Sequence, residues 1–123
     1  MSSRPQFDPN PVIVNGDMSG NLTSSVTIIQ KLSYISYSLV WTGTPTGTFN
    51  VQVSNDYSKN TDGTVKNAGT WTSLTLSAPT AATGSAGNGF IDIHGCAAYA
   101  VRLIYTAGSG SGTLNAIAAG KVA

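Results

Sequence analysis

The chain has 123 residues, enough for one domain with a real core. Hydrophobic residues make up 41% and charged residues only 9%, against about 25% charged in an average domain. A net charge of +1 without clustered bases excludes the basic patch or stripe of a nucleic-acid grip, so neither DNA nor RNA is an expected partner.

Glutamate is absent, and the acids are Asp8, Asp17, Asp56, Asp62 and Asp92. The bases are Arg4, Lys31, Lys59, Lys66, Arg102 and Lys121. The surface is therefore expected to be Ser, Thr, Asn and Gly rather than ion pairs. Three readings fit such a surface: a strand-rich chain, an extracellular setting, or burial against neighbouring copies, where charge is depleted. A single cysteine, Cys96, permits no internal disulfide and reads as a buried structural thiol. No run approaches the roughly 20 apolar residues of a membrane span, so no membrane is expected. The N-terminus has no basic-then-apolar signal pattern, and the expectation is a soluble product made in the cytoplasm.

In chain order, residues 1–11 carry Pro5, Pro9 and Pro11 and little pattern, which predicts an extended arm, solvated or laid along a partner. Val12–Val14 reads as a short strand stopped by the turn signal Asn15-Gly16-Asp17. Thr23–Gln30 is a further strand, rich in Thr, Val and Ile. Ser33–Thr42 alternates, with Ile35, Tyr37, Leu39 and Trp41 on one face. A turn at Gly43–Gly47 leads into Thr48–Asn55, where Phe49, Val51 and Val53 point inward and Asn50, Gln52 and Ser54 outward. A long polar loop, 56–69, precedes a strand at Thr70–Leu76, then a low-complexity connection, 78–88, and a short strand at Gly89–Ile93. Tyr99–Thr106 alternates again, and the run Gly108-Ser-Gly-Ser-Gly112 leads into a last strand, which reads as a closing hairpin. No segment shows capped helical periodicity. The expected fold is all-β: an antiparallel β-sandwich or jelly roll of seven or eight strands over residues 12–123, preceded by the arm.

Chemistry is poorly provided for, and no enzymatic activity or cofactor is expected. His94 and Cys96 would share a strand face, as a nucleophilic pair or metal half-site would require, but orienting groups and further ligands are missing. Asn55, Asp56, Asn60, Asp62 and Gly63 have a calcium-loop composition without the terminal bidentate Glu, and equally make ordinary turns. The glycines of 84–89 and 108–112 open no helix, so no phosphate cradle is expected. Tyr34, Tyr57, Trp71 and Tyr99 are aromatics that could stack on a sugar, while Trp41, Trp71 and Tyr37 lie on alternating faces that read as core. The candidate contact residues are Arg4 and Phe7 in the arm, with Tyr57 and Lys59 in the loop.

Three phrases carry a resemblance: Trp41-Thr-Gly-Thr-Pro-Thr-Gly-Thr-Phe-Asn-Val-Gln-Val-Ser-Asn-Asp56, Gly69-Thr-Trp-Thr-Ser-Leu74, and Tyr99-Ala-Val-Arg-Leu-Ile-Tyr through Asn115. Together, over roughly residues 21–121, they resemble small β-sandwich structural proteins of bacteriophages. The same order also looks like discoidin-type modules, which usually carry a disulfide joining their ends; Cys96 has no partner for one. The phage resemblance implies a non-enzymatic virion part: a capsid-associated head or decoration protein that forms a trimer or higher homo-oligomer and contacts other virion proteins. The alternative it implies is a carbohydrate- or receptor-binding module of a tail fibre or spike, with a glycan as ligand.

Overall fold

The computed structural model describes residues 6–29, 34–74, 80–94 and 99–121. They form β1 (Gln6–Asp17), β2 (Leu22–Thr23), β3 (Thr27–Ile28), β4 (Tyr34–Trp41), β5 (Thr46–Ser54), β6 (Ser58–Lys59), β7 (Val65–Asn67), β8 (Thr72–Ser73), β9 (Ala81–Thr83), β10 (Gly87–His94), β11 (Ala100–Ser109) and β12 (Thr113–Lys121).

Alternation is strongest in β4, and there the structure follows it. Ile35, Tyr37, Leu39 and Trp41 are buried, while Ser38 and Val40 between them are exposed. The same period buries Phe49 and Val51 on β5, Val101, Leu103 and Tyr105 on β11, and Leu114, Ala116 and Ala118 on β12. These side chains meet in one hydrophobic cluster between two antiparallel sheets, which makes the fold a β-sandwich. The front sheet has the order β1-β12-β4-β10. The back sheet has the order β2-β11-β5-β8, with β3 beside β2 on β11 and β9 beside β8 on β5.

Front and back alternate along the chain, and this overturns the closing hairpin. β11 pairs with β5, β2 and β3, whereas β12 pairs with β1 and β4, so residues 108–112 cross from one sheet to the other. The turn between β4 and β5 makes the same crossing, and the two crossovers lie against each other. Thr42 N–H donates to Thr113 O at 3.0 Å, Thr44 N–H to Ser111 O at 2.9 Å and Met18 N–H to Gly112 O at 2.9 Å. The contact is possible because Gly43 and Gly110 take left-handed backbone, with φ of 84° and 76°. Just inside this corner an aromatic row ties the sheets together: Trp41 to Phe49 at 5.3 Å and Phe49 to Tyr105 at 5.0 Å between centroids.

Other boundaries move as well. Residues 6–11, expected in the arm, form the first half of β1, while residues 1–5 lie outside the described residues. The strand expected to stop at Val14 runs through Asn15-Gly16 to Asp17 along β12. Prolines are compatible with β1 because it is an edge strand whose register shifts between Phe7 and Asn10 and between Pro11 and Ile13. The single strand expected from Thr23 is two short pairings, β2 and β3, separated where Leu103 N–H donates to Ser24 Oγ at 2.7 Å. The 56–69 loop holds the β6–β7 ribbon, and the 78–88 connection holds β9 and the start of β10.

Candidate functional site

The loop leaving β5 begins with a side-chain-built turn. Ser54, expected to face solvent, is 3% exposed; its Oγ accepts from the backbone N–H groups of Asp56 and Tyr57 and donates to Asp56 Oδ1 at 2.8 Å. The turn folds Tyr57 back onto the body, and its side chain is 6% exposed. Tyr57 is therefore a buried anchor and not the solvent-facing contact residue expected. The polarity of its neighbours conceals this, but Gly69, at φ 85°, brings the returning loop close enough to cover it.

Trp71 also departs from its expected place in the core. It lies on the outer side of the back sheet, with the Arg102 guanidinium 4.2 Å from its ring centroid and Tyr57 5.8 Å away at 55°. Its indole N–H donates to Ala68 O at 2.8 Å. Arg102 is fixed in turn, since its Nε donates to Gln52 Oε1 at 2.9 Å across the β5–β11 ladder. The Arg102–Trp71–Tyr57 contacts thus fasten the loop to the sheet. A stacking platform for a sugar needs an uncommitted aromatic face; here Arg102 stands over the ring and Tyr57 packs beside it.

A cavity of about 360 Å³ lies at this end, lined by Val53, Ser54, Asn55, Asp56, Thr70 and Thr72. Asp56 Oδ1 accepts from Thr70 N–H at 2.6 Å, and Asn55 Oδ1 accepts from Tyr99 N–H at 2.9 Å. The Thr70 amide, and after it the Ser54 hydroxyl, holds the Asp56 carboxyl below its ordinary range. Asp62 is lowered by the Thr64 hydroxyl and then the Thr64 amide, within its own turn. Asn60 donates to Thr64 Oγ1 at 3.1 Å. The calcium-like residues are thus engaged in separate turns, and among the described residues no three His, Cys, Asp or Glu side chains gather as metal ligands. Lys59 is exposed on β6, Phe7 lies on β1, and Arg4 and Cys96 lie outside the described residues. The candidate contact residues therefore do not form one cluster among the described residues.

The outer face of the front sheet is a feature that was missed in the sequence. Of the described large hydrophobics that are exposed, Val14 (66%), Val40 (55%), Phe90 (59%) and Ile117 (41%) come one from each front strand; the other, Val65, is on β7. Register sets them side by side. Phe90 and Ile117 both pair with Ser38, and Ile117 also pairs with Pro11, giving a row Phe90–Ser38–Ile117–Pro11 across all four strands. The next row carries Asn88, Val40 and Asn115. Apolar residues at the outward positions of alternating strands were the available signal; they go unnoticed when each strand is read only for its core face. The chain matches no protein-family model, and no curated protein matches it.

Proposed function

We propose that the chain is a non-enzymatic virion structural protein, a capsid-associated component of the head or decoration type from a bacteriophage, which assembles through contacts between subunits. The carrying observation is the winding: long strands alternate between a sheet ordered β1-β12-β4-β10 and a sheet whose four lanes are β2/β3, β11, β5 and β8/β9. We read this order as a jelly roll, an architecture used by viral capsid and lectin domains. Fold alone is analogy, so the surface supplies the second support. It carries few charges and an apolar row on the outer face of one sheet, as suits a part that spends its working life against neighbours. Immunogold electron microscopy of particles from cells that make the chain tests the proposal. Label spread over the heads is the expected result; particles free of label would refute it.

The second reading, a carbohydrate-binding module of a fibre or spike, draws on the polar cavity beside Asp56. The Arg102 and Tyr57 contacts around Trp71 count against it. A glycan array probed with the purified chain separates the two, because only the second reading expects saturable binding that Asp56→Ala abolishes.

A further inference from the structure

We infer that Asn15 is a self-modification site: its side-chain amide reacts with the backbone of Gly16 and, with water as co-reactant, becomes aspartyl and isoaspartyl. This chemistry is independent of the assembly reading above. It favours an asparagine followed by a residue without a Cβ, because a side chain there obstructs the approach of the next backbone nitrogen. The sequence offers the pair twice, at Asn15-Gly16 and Asn88-Gly89. Both asparagine side chains are exposed, so access to water does not separate them. Their backbones do.

Asn88 belongs to an uninterrupted register, from Gly87 opposite Trp41 to His94 opposite Tyr34, in which β4 fixes the peptide planes of β10. Asn15 sits in a bulge. The register passes from Ile13 opposite Ala116 to Gly16 opposite Leu114, so Val14 and Asn15 together face Asn115. The Asn15 N–H donates to Asn115 Oδ1 at 2.9 Å, and a side chain thus stands in for a ladder acceptor. Asn15 is also the one non-glycine residue with positive φ among the described residues, at 51°. Asparagine tolerates that conformation better than most side chains. β1 is an edge strand, paired with β12 on one side only. Glycine at 16 is required by packing, since a Cβ there would lie 2.8 Å from both Ile13 Cγ2 and Leu22 Cδ1. The fold therefore keeps the reactive pair and holds its peptide plane more loosely than β4 holds β10.

The Gly16 nitrogen bonds to Asn15 Cγ, and the bond from Cγ to Nδ2 breaks. Ammonia leaves, taking the proton of the Gly16 N–H, and a five-membered imide remains. Water then opens the ring. Addition at Cγ gives aspartate, and addition at the main-chain carbonyl carbon gives isoaspartate, with the chain now running through Cβ. In sum an amide and water give a carboxylate and ammonium, and no oxidant or reductant is consumed. Each event places a new negative charge two residues from Asp17 and takes the formal net charge from +1 to zero. A chain without net charge has less repulsion to keep its copies apart.

Peptide mapping of the full chain after ageing in mildly alkaline buffer tests this, with electron-transfer fragmentation to tell isoaspartyl from aspartyl. Asn15 is expected to convert at least about tenfold faster than Asn88, a barrier difference of about 1.4 kcal/mol. Isoelectric focusing should show a matching acidic species, and Asn15→Gln, which would need a larger ring, should remove it. Asn115→Ala frees the bulge and is expected to speed conversion at Asn15 while leaving Asn88 as it was. If Asn115→Ala fails to fold by circular dichroism, Asn115→Val carries the same comparison. The chain unfolded in urea is the reference for sequence alone, and there the two pairs should convert at similar rates. The inference is overturned if Asn88 converts as fast as Asn15 in the folded chain. Folded Asn15 that stays intact, or a rate ratio that persists in urea, would overturn it equally.

Discussion

Gly112 offers the sharpest test of how the sandwich is closed. A Cβ at this position would fall inside van der Waals contact of the Thr42 carbonyl oxygen and 3.1 Å from Pro45 Cδ. Both obstacles belong to the crossover between β4 and β5, so neither can rotate aside. Gly112→Ala must therefore separate the two crossovers. That disturbs the Thr42–Thr113 and Met18–Gly112 hydrogen bonds, each worth about 1 kcal/mol. Overpacking adds about 1–3 kcal/mol, and the total is about 3–5 kcal/mol out of the ~5–15 kcal/mol typical of a whole domain. With an m-value of about 1.5 kcal/mol/M in urea, the midpoint should fall by about 2–3 M. Two controls isolate the cause. Gly63 has φ of 89° but nothing within 4 Å of an added Cβ, so Gly63→Ala measures backbone strain alone, about 1–2 kcal/mol. Gly20 has neither constraint, and Gly20→Ala should be neutral or slightly stabilising. A Gly112→Ala midpoint no lower than that of Gly63→Ala would refute the view that the stacked crossovers clamp the fold.

Three further outcomes follow from local contacts. Thr27 Oγ1 is buried with no hydrogen-bond partner among the described residues, so Thr27→Val should raise stability by up to about 1 kcal/mol, and a lower melting temperature would contradict this. Trp71→Ala removes the Arg102 and Tyr57 ring contacts, together worth about 1–2.5 kcal/mol; hydrogen exchange should quicken in residues 57–70 before the core strands, and uniform acceleration would argue against a local fastening. Because Thr70 N–H and Ser54 hold the Asp56 carboxyl below its ordinary value of 3.8, its contribution is complete above that value and is lost as pH falls through the lower folded value. Thermal melts of Asp56→Asn against wild type should therefore differ less with each step below pH 3.8, and a constant difference would show that the charge is not what Thr70 recognises.

The β4 core face was legible in the sequence because a strand half-buried in a sandwich writes its environment as a period of two. The partners of the strands were not legible. Alternation tells which side chains share a face, but nothing in it ties Leu114 to Trp41, a pairing that joins residues far apart in the chain. The glycine run at 108–112 illustrates the ambiguity: glycine permits a tight hairpin, and it equally permits two backbones to touch at a crossover. Prolines misled in a similar way. In a central strand Pro9 and Pro11 would remove ladder donors, yet an edge strand with bulges has donors to spare. Tyr57 was hidden for another reason, since the Ser54 turn that buries it is made by side-chain hydrogen bonds to backbone and leaves no periodic trace.

The same distinction bears on function. A sandwich whose interior is filled by aromatic and aliphatic side chains has little room for internal chemistry, so its interactions belong to its outer faces and ends. At the end beside β5 the polar groups Ser54, Asn55 and Asp56 make hydrogen bonds within the chain, and Arg102, Trp71 and Tyr57 pack on one another. Groups so engaged hold the fold and have less to offer a ligand. On the front face the reverse holds: Phe90, Val40 and Ile117 are ordered by the ladder beneath them but remain largely uncovered. An apolar row of this kind lowers solubility in a free monomer, and the chain has little net charge to counter that. It becomes favourable once neighbours cover it.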